Sequence, residues 1–276
     1  MAGNHLKRFY GARWSVNVVD PRAILNGVDL VLLEPNIVCV NQTESTNVLA
    51  RVMVEGGLGE GLITVADLQT QGRGRHDRNW HSPLGGLYFS IVLKPRITDE
   101  AAPLLGFLTA CAIATETRET LGLDISLKWP NDILVGERKL GGILSETVST
   151  NGSLLAIIGV GINQNVKREN LPAELQDNTT TILTEIGRET SRENLISAII
   201  SGIDSRLSQV ESDSSFSSIL DEWTNHSSTI GRSVRIRDGS EIIEGLAIGI
   251  GPDGSLEVEE SDGQLKRILI GDIFHL

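Results

Sequence analysis

Cysteine is scarce in this sequence: Cys39 and Cys111 are the only two among 276 residues. Two thiols are too few for a disulfide framework, and they have no metal-ligand spacing. Disulfide-stapled domains and cysteine-based zinc modules are therefore excluded as classes. Both cysteines lie in apolar runs, which predicts that they are buried core thiols.

The sequence also lacks long hydrophobic runs, and it has fewer positively charged than negatively charged residues. No segment reaches the roughly 20 apolar residues that a membrane-spanning helix needs, and the first 20 residues contain no continuous apolar stretch typical of a signal peptide. Lysine and arginine number 24 against 36 aspartates and glutamates, for a net charge of −12. Such a surface repels a nucleic-acid backbone unless one face is locally basic. These absences predict a cytoplasmic protein with no membrane and no specific DNA partner.

The order of apolar runs and chain breakers predicts an α+β fold, a mixed and largely antiparallel sheet with helices on one face. Helices are expected to begin after Asp20 and at Ser45, and to occupy about residues 100–121 and 192–223. Strands are expected at residues 37–41, 62–66, 87–93, 125–129, 133–135, 142–148 and 154–162. Four further short strands after residue 230, joined by Asp-Gly turns, predict a small β-barrel-like domain. The resulting division is an N-terminal arm (1–36), a main domain (37–228) and a C-terminal domain (229–276).

The densest chemistry lies at residues 72–80, GRGRHDRNW, where three arginines and two glycines crowd one loop of an acidic protein. Glycines let the backbone approach a ligand and turn its N–H groups inward. Each guanidinium offers a fork of donors that matches a phosphate or carboxylate, and Trp80 offers a flat face for a ring. By itself the loop also fits a solvated turn or a nucleic-acid tether.

Four more polar segments follow predicted strands, namely residues 44–47 (ESTN), 128–132 (KWPND), 139–146 (KLGGILSE) and 159–163 (GVGIN). Taken with Gln69 and the arginine loop, these segments resemble the catalytic domain of biotin protein ligases. The resemblance runs from about residue 37 to residue 163, and the C-terminal domain has the expected length and strand pattern. It implies a catalytic domain like that of class II aminoacyl-tRNA synthetases and biotin–lipoate ligases, followed by an SH3-like β-barrel.

The activity that the resemblance implies has two steps and uses ATP and Mg²⁺, with biotin as substrate. The biotin carboxylate is joined to the α-phosphate of ATP, and biotin then passes from biotinyl-5′-AMP to a lysine of the biotin carboxyl carrier domain of a carboxylase. Attack of one anion on another is opposed electrostatically, so cations are needed in the site. The oligomeric state is left open, a homodimer included.

The resemblance also assigns site residues. The catalytic cations are Lys139, Arg73 and Arg75. Biotin is expected to contact Ser45, Thr46, Asn47, Gln69, Gly72, Arg73, Gly74, Arg75 and Lys139. ATP and the adenylate are expected to contact Arg75, Arg78, Trp80, Lys128, Asn131, Asp132 and Asn163, with Asp132 near the metal.

Structural interpretations compete with several of these roles. Ser45 and Thr46 also fit helix caps, and Asn131 with Asp132 fits a β-turn. Trp80 also fits an anchor that packs the loop into the core, and Lys139 also fits an exposed lysine beside a turn.

Three other functions share part of the pattern. A lipoate or octanoate ligase has the same acyl-transfer logic, but the GRGR loop and KWPND string are marks of the biotin group. A biotin-responsive repressor needs a DNA-binding domain, whereas only about 36 residues precede the first strand and contain no recognisable recognition helix. A non-catalytic nucleotide-binding module would not need Lys139 beside the loop.

Overall fold

The computed structural model describes residues 19–150, 152–238 and 241–276. The first half of the predicted N-terminal arm lies outside the described residues. Within these ranges the fold is α+β, with one mixed sheet, one antiparallel sheet and helices. No described helix is long and apolar enough to cross a membrane.

The main sheet has seven described strands in the order β1-β2-β3-β7-β6-β5-β4. The pair β1 and β2 is parallel, and every other neighbouring pair is antiparallel. The predicted antiparallel meander from β4 to β7 is confirmed. The strands are β1 (Asn36–Thr43), β2 (Leu62–Gln69), β3 (Leu87–Leu93), β4 (Ser126–Lys128), β5 (Asp132–Val135), β6 (Arg138–Thr150) and β7 (Ser153–Ile162).

Helices cover both faces of this sheet. Alternate residues of β3 belong to different core clusters: Ile91 packs with the large cluster, whereas Val92 packs with a small cluster around helix α2. Because successive strand residues point to opposite faces, α2 lies opposite the other helices. The predicted mixed sheet with packed helices is confirmed, but the prediction that the helices lie on one face is wrong for α2, which packs on the other face. The helices are α1 (Pro21–Gly27), α2 (Thr46–Glu55), α3 (Leu104–Leu121), α4 (Ile182–Ile186), α5 (Arg192–Asp213) and α6 (Ser217–His226).

Several helices and strands begin at residues other than those predicted, and one of these differences affects the candidate site. Strand β6 begins at Arg138 and not at residue 142, which puts Lys139 on a strand and not in the preceding turn. The cause is the hairpin with β5, in which Val135 pairs with Arg138 and Leu134 pairs with Lys139. Lys139 also has a distant partner: its N–H donates to Asn178 O at 2.8 Å, and Thr180 N–H donates to Lys139 O at 2.9 Å. Helix α3 also starts later than predicted, at Leu104, after a short 3₁₀ turn at Asp99–Ala101.

The described part of the N-terminal arm is fastened to α5 by one buried carboxylate. Asp204 on α5 accepts hydrogen bonds from three consecutive backbone N–H groups: Val31 at 2.7 Å, Leu32 at 3.1 Å and Leu33 at 2.6 Å. Its side chain is buried. A carboxylate that satisfies several buried donors is costly to remove, because each donor is left without a partner.

Replacing Asp204 with alanine is therefore expected to lower the free energy of unfolding by about 3 kcal/mol. Urea denaturation measures this change. Asp177→Ala is the matched control, since that side chain is 91% exposed, and we expect it to cost less than about 0.5 kcal/mol. An equal effect of the two substitutions would contradict the anchoring role of Asp204.

The C-terminal sheet is antiparallel throughout, in the order β11-β10-β9-β8-β12. Its last strand, β12, was not predicted from the sequence. The sheet is joined to the main domain at Trp129, whose backbone N–H donates to Thr229 Oγ1 and whose indole Nε1–H donates to Gly254 O, both at 3.1 Å. The strands are β8 (Ser233–Asp238), β9 (Glu241–Ile250), β10 (Leu256–Glu259), β11 (Leu265–Ile268) and β12 (Asp272–His275).

Candidate active site

A cavity of about 360 Å³ opens where the arginine loop, the β4–β5 turn, β6, β7 and β12 meet. The structure brings all the predicted site residues but one to its lining: Ser45, Thr46, Asn47, Gln69, Arg73, Gly74, Arg75, Arg78, Trp80, Lys128, Asn131, Asp132, Lys139 and Asn163. These residues come from segments up to 118 positions apart in the chain, so only the fold can collect them. Their individual roles stay predictions.

Gly72 is the exception: it does not line the cavity, and it lies where the two arms of the loop pack against each other. A Cβ at this position would lie 2.3 Å from Trp80 O and 2.7 Å from Ser82 Oγ. Its carbonyl accepts from Trp80 N–H at 2.8 Å, and Gly74 N–H donates to Arg78 O at 2.7 Å. The loop is therefore a hairpin whose two arms lie too close together at Gly72 for any side chain.

Three cations of the site each face a carboxylate. Lys139 Nζ lies 2.5 Å from Asp132 Oδ1, and Arg73 Nη1 lies 3.6 Å from Glu146 Oε1. Arg78 contacts the carboxylate of Asp272 on β12. These pairs are partly exposed, so each contributes little to stability. Their effect is to hold the cations at the cavity wall.

Two further cations of the lining have lowered pKa values. Arg75 donates to Gly271 O at 3.4 Å, and burial lowers its pKa, with Asp272 and Asp132 acting in the opposite direction. Burial also lowers the pKa of Lys128, an effect that Asp132 opposes and Lys139 reinforces. The cavity is thus a place where positive charge is partly desolvated, which strengthens its attraction for an anion.

Neutral polar side chains at the start of α2, together with Gln69, line one side of the cavity. This group, called the polar floor, consists of Ser45, Thr46, Asn47 and Gln69. Ser45, Thr46 and Asn47 are buried. Gln69 Oε1 accepts from Thr46 N–H at 2.8 Å, and Gln69 Nε2–H donates to Ser82 Oγ at 2.8 Å. Ser45 is the N-cap residue of α2 by position, but its hydroxyl makes no capping hydrogen bond. The side-chain capping interpretation of Ser45 is therefore wrong, and the residue lines the cavity.

Trp80 packs flat against the glycines of β7. A Cβ at Gly161 would lie 2.4 Å from Trp80 Nε1, and Lys139 Nζ stands 5.5 Å from the centre of the Trp80 ring. The indole N–H is buried and has no hydrogen-bond partner within the described part of the chain. Trp80 thus both lines the cavity and anchors the loop, and its contact with a nucleotide stays a prediction.

The two asparagines of the predicted nucleotide side are fixed by backbone groups. Asn131 Nδ2–H donates to Ile143 O at 2.7 Å, and Asn163 Nδ2–H donates to Thr180 O at 3.3 Å. Asn163 is buried. In each case the amide nitrogen is occupied by the protein, which leaves the side-chain oxygen as the atom available to a ligand.

The site also contains groups that sequence reasoning did not assign. Ser90 lies beneath Thr46 and Asn47; it is the one small polar residue in the otherwise apolar and aromatic run LYFSIVL, which was a usable signal. Glu146 belongs to the segment 139–146 on which the resemblance rests, but no role was assigned to it. Gly271, Asp272 and Phe274 close one wall from β12, and nothing local in the sequence indicates this.

A preformed metal cage is not part of this arrangement. Among the described residues, no group of three or more histidine, cysteine, aspartate or glutamate side chains could hold a metal ion. Asp132 is the carboxylate nearest to Lys139 and is held by it. Any metal bound here would need most of its ligands from the substrate.

A cavity with partly desolvated cations on one side and neutral polar groups on the other defines an enzyme of acyl or phosphoryl chemistry. Comparison with known proteins gives the particular family. Residues 39–163 match the biotin/lipoate A/B protein ligase family, and residues 229–276 match the biotin protein ligase C terminal domain.

Individual relatives agree with these matches. The chain is 32% identical over 249 residues to the bifunctional ligase/repressor BirA of Bacillus subtilis, covering 90% of this chain and 76% of the relative. It is 29% identical to the biotin–[acetyl-CoA-carboxylase] ligase of Mycobacterium tuberculosis, covering 86% of this chain and 88% of that protein. The solved biotin protein ligase of Aquifex aeolicus, in complex with biotin and ATP, superimposes with a TM-score of 0.76 at 28% identity, covering 87% of this chain and 99% of that one. The chain therefore belongs to the biotin/lipoate A/B protein ligase family, and within it to the biotin protein ligases.

Proposed function

We infer that this chain is an ATP-dependent biotin–protein ligase, which forms biotinyl-5′-AMP and transfers biotin to a lysine of a biotin carboxyl carrier domain. The observation that carries this function is the meeting of a cationic loop, Lys139 and a neutral polar floor in one cavity. A cationic wall alone would suit any nucleotide. The neutral floor adds binding groups for the uncharged part of a second ligand.

The floor has the chemistry that biotin requires. The ureido ring presents one carbonyl acceptor and two N–H donors, and the rest of the molecule is apolar apart from its carboxylate. Ser45, Thr46 and Gln69 offer hydroxyl and amide groups to the ureido ring, and Ile143, Leu144 and Val160 supply apolar lining. A few fixed polar groups in an apolar slot give orientation and specificity.

The first step joins the biotin carboxylate to the α-phosphate of ATP and releases pyrophosphate. Two anions must approach each other, so the barrier falls when fixed cations stabilise the charge that builds up between them. In our proposal Lys139 bridges the carboxylate and the α-phosphate, and Arg73 and Arg75 bind their outer oxygens. Trp80 packs beside the adenine, and Arg78, Lys128, Asn131 and Asn163 contact the nucleotide.

Magnesium fits this site only together with the nucleotide. Mg²⁺ is usually bound by one or two carboxylates plus phosphate oxygens and waters. Asp132 offers one such carboxylate beside Lys139, and Asn131 offers an amide oxygen. When bound, the ion would neutralise phosphate charge, with Asp132 as its protein ligand.

The second step is an aminolysis. The neutral amine of the acceptor lysine attacks the carbonyl carbon of the mixed anhydride, the new amide bond forms, and AMP leaves with the electron pair of the broken C–O bond. The amine nitrogen loses one proton to solvent in the same step. The cations that bound the α-phosphate then stabilise the leaving AMP. We propose a carboxylase carrier domain as the acceptor and the cytoplasm as the location.

The two rival functions leave testable differences. A lipoate or octanoate ligase would accept a longer, ring-free or dithiolane acyl chain without need of the ureido-binding hydroxyls. A ligase that also represses transcription would bind a specific operator. The net charge of −12 opposes DNA binding, and we propose that no specific DNA partner exists.

The direct test is incubation of the protein with ATP, Mg²⁺ and an isolated carrier domain, with either labelled biotin or labelled lipoate. Biotin is expected to appear on one lysine of the carrier, as measured by mass spectrometry. Omission of ATP is the control that separates adenylation from adventitious acylation. Transfer of lipoate in preference to biotin, or tight sequence-specific DNA binding at physiological salt, would contradict the proposal.

A further inference from the structure

Glu146, on β6, lies directly between the arginine loop and the polar floor. One carboxylate oxygen, Oε2, accepts a hydrogen bond from Asn47 Nδ2 at 2.8 Å. The other, Oε1, lies 3.6 Å from Arg73 Nη1 and 3.8 Å from Arg51 Nη2. The side chain is 25% exposed, so both interactions take place in a partly desolvated setting. No role has yet been given to this carboxylate.

The hydrogen bonds of Asn47 show what the first contact controls. Its amide nitrogen donates to two groups that can only accept, the Glu146 carboxylate and Leu144 O. Its carbonyl oxygen lies 2.6 Å from Ser90 Oγ, and Ser90 Oγ lies 2.7 Å from Thr46 Oγ1. The carboxylate therefore sets which way the Asn47 amide points, and through Ser90 it sets the arrangement of the Thr46 hydroxyl.

The second contact bears on the loop. Arg73 is half-exposed, with 51% of its side chain accessible, and Glu146 is the carboxylate with which it forms an ion pair in the described residues. A long cationic side chain with that much freedom loses entropy when it is held. A carboxylate beside it favours a position close to the cavity before any ligand arrives.

From these contacts we propose that Glu146 is a positioning residue that couples the polar floor to the arginine loop. It acts through Asn47 and Arg73 and does not itself touch the reacting atoms. The inference rests on the proposed function, because it concerns how the biotin end of the site is arranged. If Glu146 has this role, its substitution changes biotin affinity and has little effect on the rate of the chemical step.

Two substitutions separate the two contacts. Glu146→Gln keeps an oxygen that can accept from Asn47 and removes the charge that faces Arg73. Glu146→Ala removes both contacts. The pair of Arg73 and Glu146 is partly exposed, so its loss in the Gln variant is expected to raise the dissociation constant of biotin by up to about fivefold. The Ala variant also loses the charge-assisted hydrogen bond from Asn47, so there we expect a rise of about tenfold to 100-fold.

Binding is measured by calorimetry with biotin alone, and KM and kcat for adenylation follow from pyrophosphate release. The expected kcat stays within about threefold of the unaltered enzyme in the Gln variant. Glu60→Gln is the matched control, since Glu60 also pairs with an arginine, Arg96 at 2.8 Å, outside the cavity. That control is expected to leave biotin affinity unchanged.

A double-mutant cycle tests whether Glu146 acts through Arg73. If it does, adding Glu146→Gln to Arg73→Ala changes biotin affinity by less than about twofold, because the partner is already absent. Additive effects, or a Gln variant that loses thermal stability while keeping normal biotin affinity, would overturn the proposal and leave a structural role only. Failure of the unaltered protein to bind biotin would instead refute the proposed function.

Discussion

Replacing Lys139 with alanine is expected to slow biotinyl-adenylate formation by about 100- to 1,000-fold, because it removes a preorganised charge aimed at the reacting centre. Lys139 is held on β6, 2.5 Å from the Asp132 carboxylate and close to the Trp80 ring. Both contacts fix the ammonium group before substrate binds. The rate is measured as single-turnover formation of the adenylate with saturating ATP and biotin.

The fold should survive this change. The side chain of Lys139 is 36% exposed, and loss of an exposed ion pair alters the free energy of unfolding by less than about 1 kcal/mol. Lys94→Ala, an exposed lysine at the end of β3, serves as the control and should retain full activity. A Lys139→Ala enzyme with normal adenylation would remove this residue from the proposed mechanism.

Gly161→Ala is expected to lower kcat/KM for ATP by about 100-fold, since a displacement of about 1 Å in a positioning group has an effect of that size. The new methyl group would lie 2.4 Å from Trp80 Nε1 and 2.7 Å from Trp80 Cε2. The indole cannot flex at that point, so it must move away from β7. The arginine loop, which ends at Trp80, then moves with it.

Two comparisons make this prediction specific. Gly59→Ala adds the same methyl group at an exposed glycine with nothing within 4 Å, and it should leave kcat/KM unchanged. In a Trp80→Ala background, Gly161→Ala should add less than about a twofold further loss, because the clash is already gone. Equal losses in both backgrounds would show that the methyl group acts elsewhere.

The sequence predicted the elements that depend on local patterns. Asp20 caps α1 with Pro21 at its first position, and Gly122 ends α3 at φ 68°, both as the residue types indicate. The strand LYFSIVL was predicted over its whole length because it is apolar or aromatic at every position except Ser90. Capping and hydrophobic periodicity act over a few residues, so they can be read without a fold.

Features that depend on distant partners were missed. Lys139 forms an isolated bridge with residues 178–180, and this pairing cannot be read from either segment alone. Strand β12 is four residues long and exists because β8 pairs with it. Fourteen of the fifteen residues that the resemblance assigned line the cavity, yet Asp272 and Phe274, which also line it, are absent from that set, since they belong to another domain.

The position of β12 has a consequence for how the enzyme matures. Residues 271–274 supply one wall of the cavity, while the cations opposite them lie between positions 73 and 139. During synthesis all of those cations leave the ribosome more than a hundred residues before the wall does. During synthesis, the charged residues of the cavity are therefore present before the chain segment that closes its last wall.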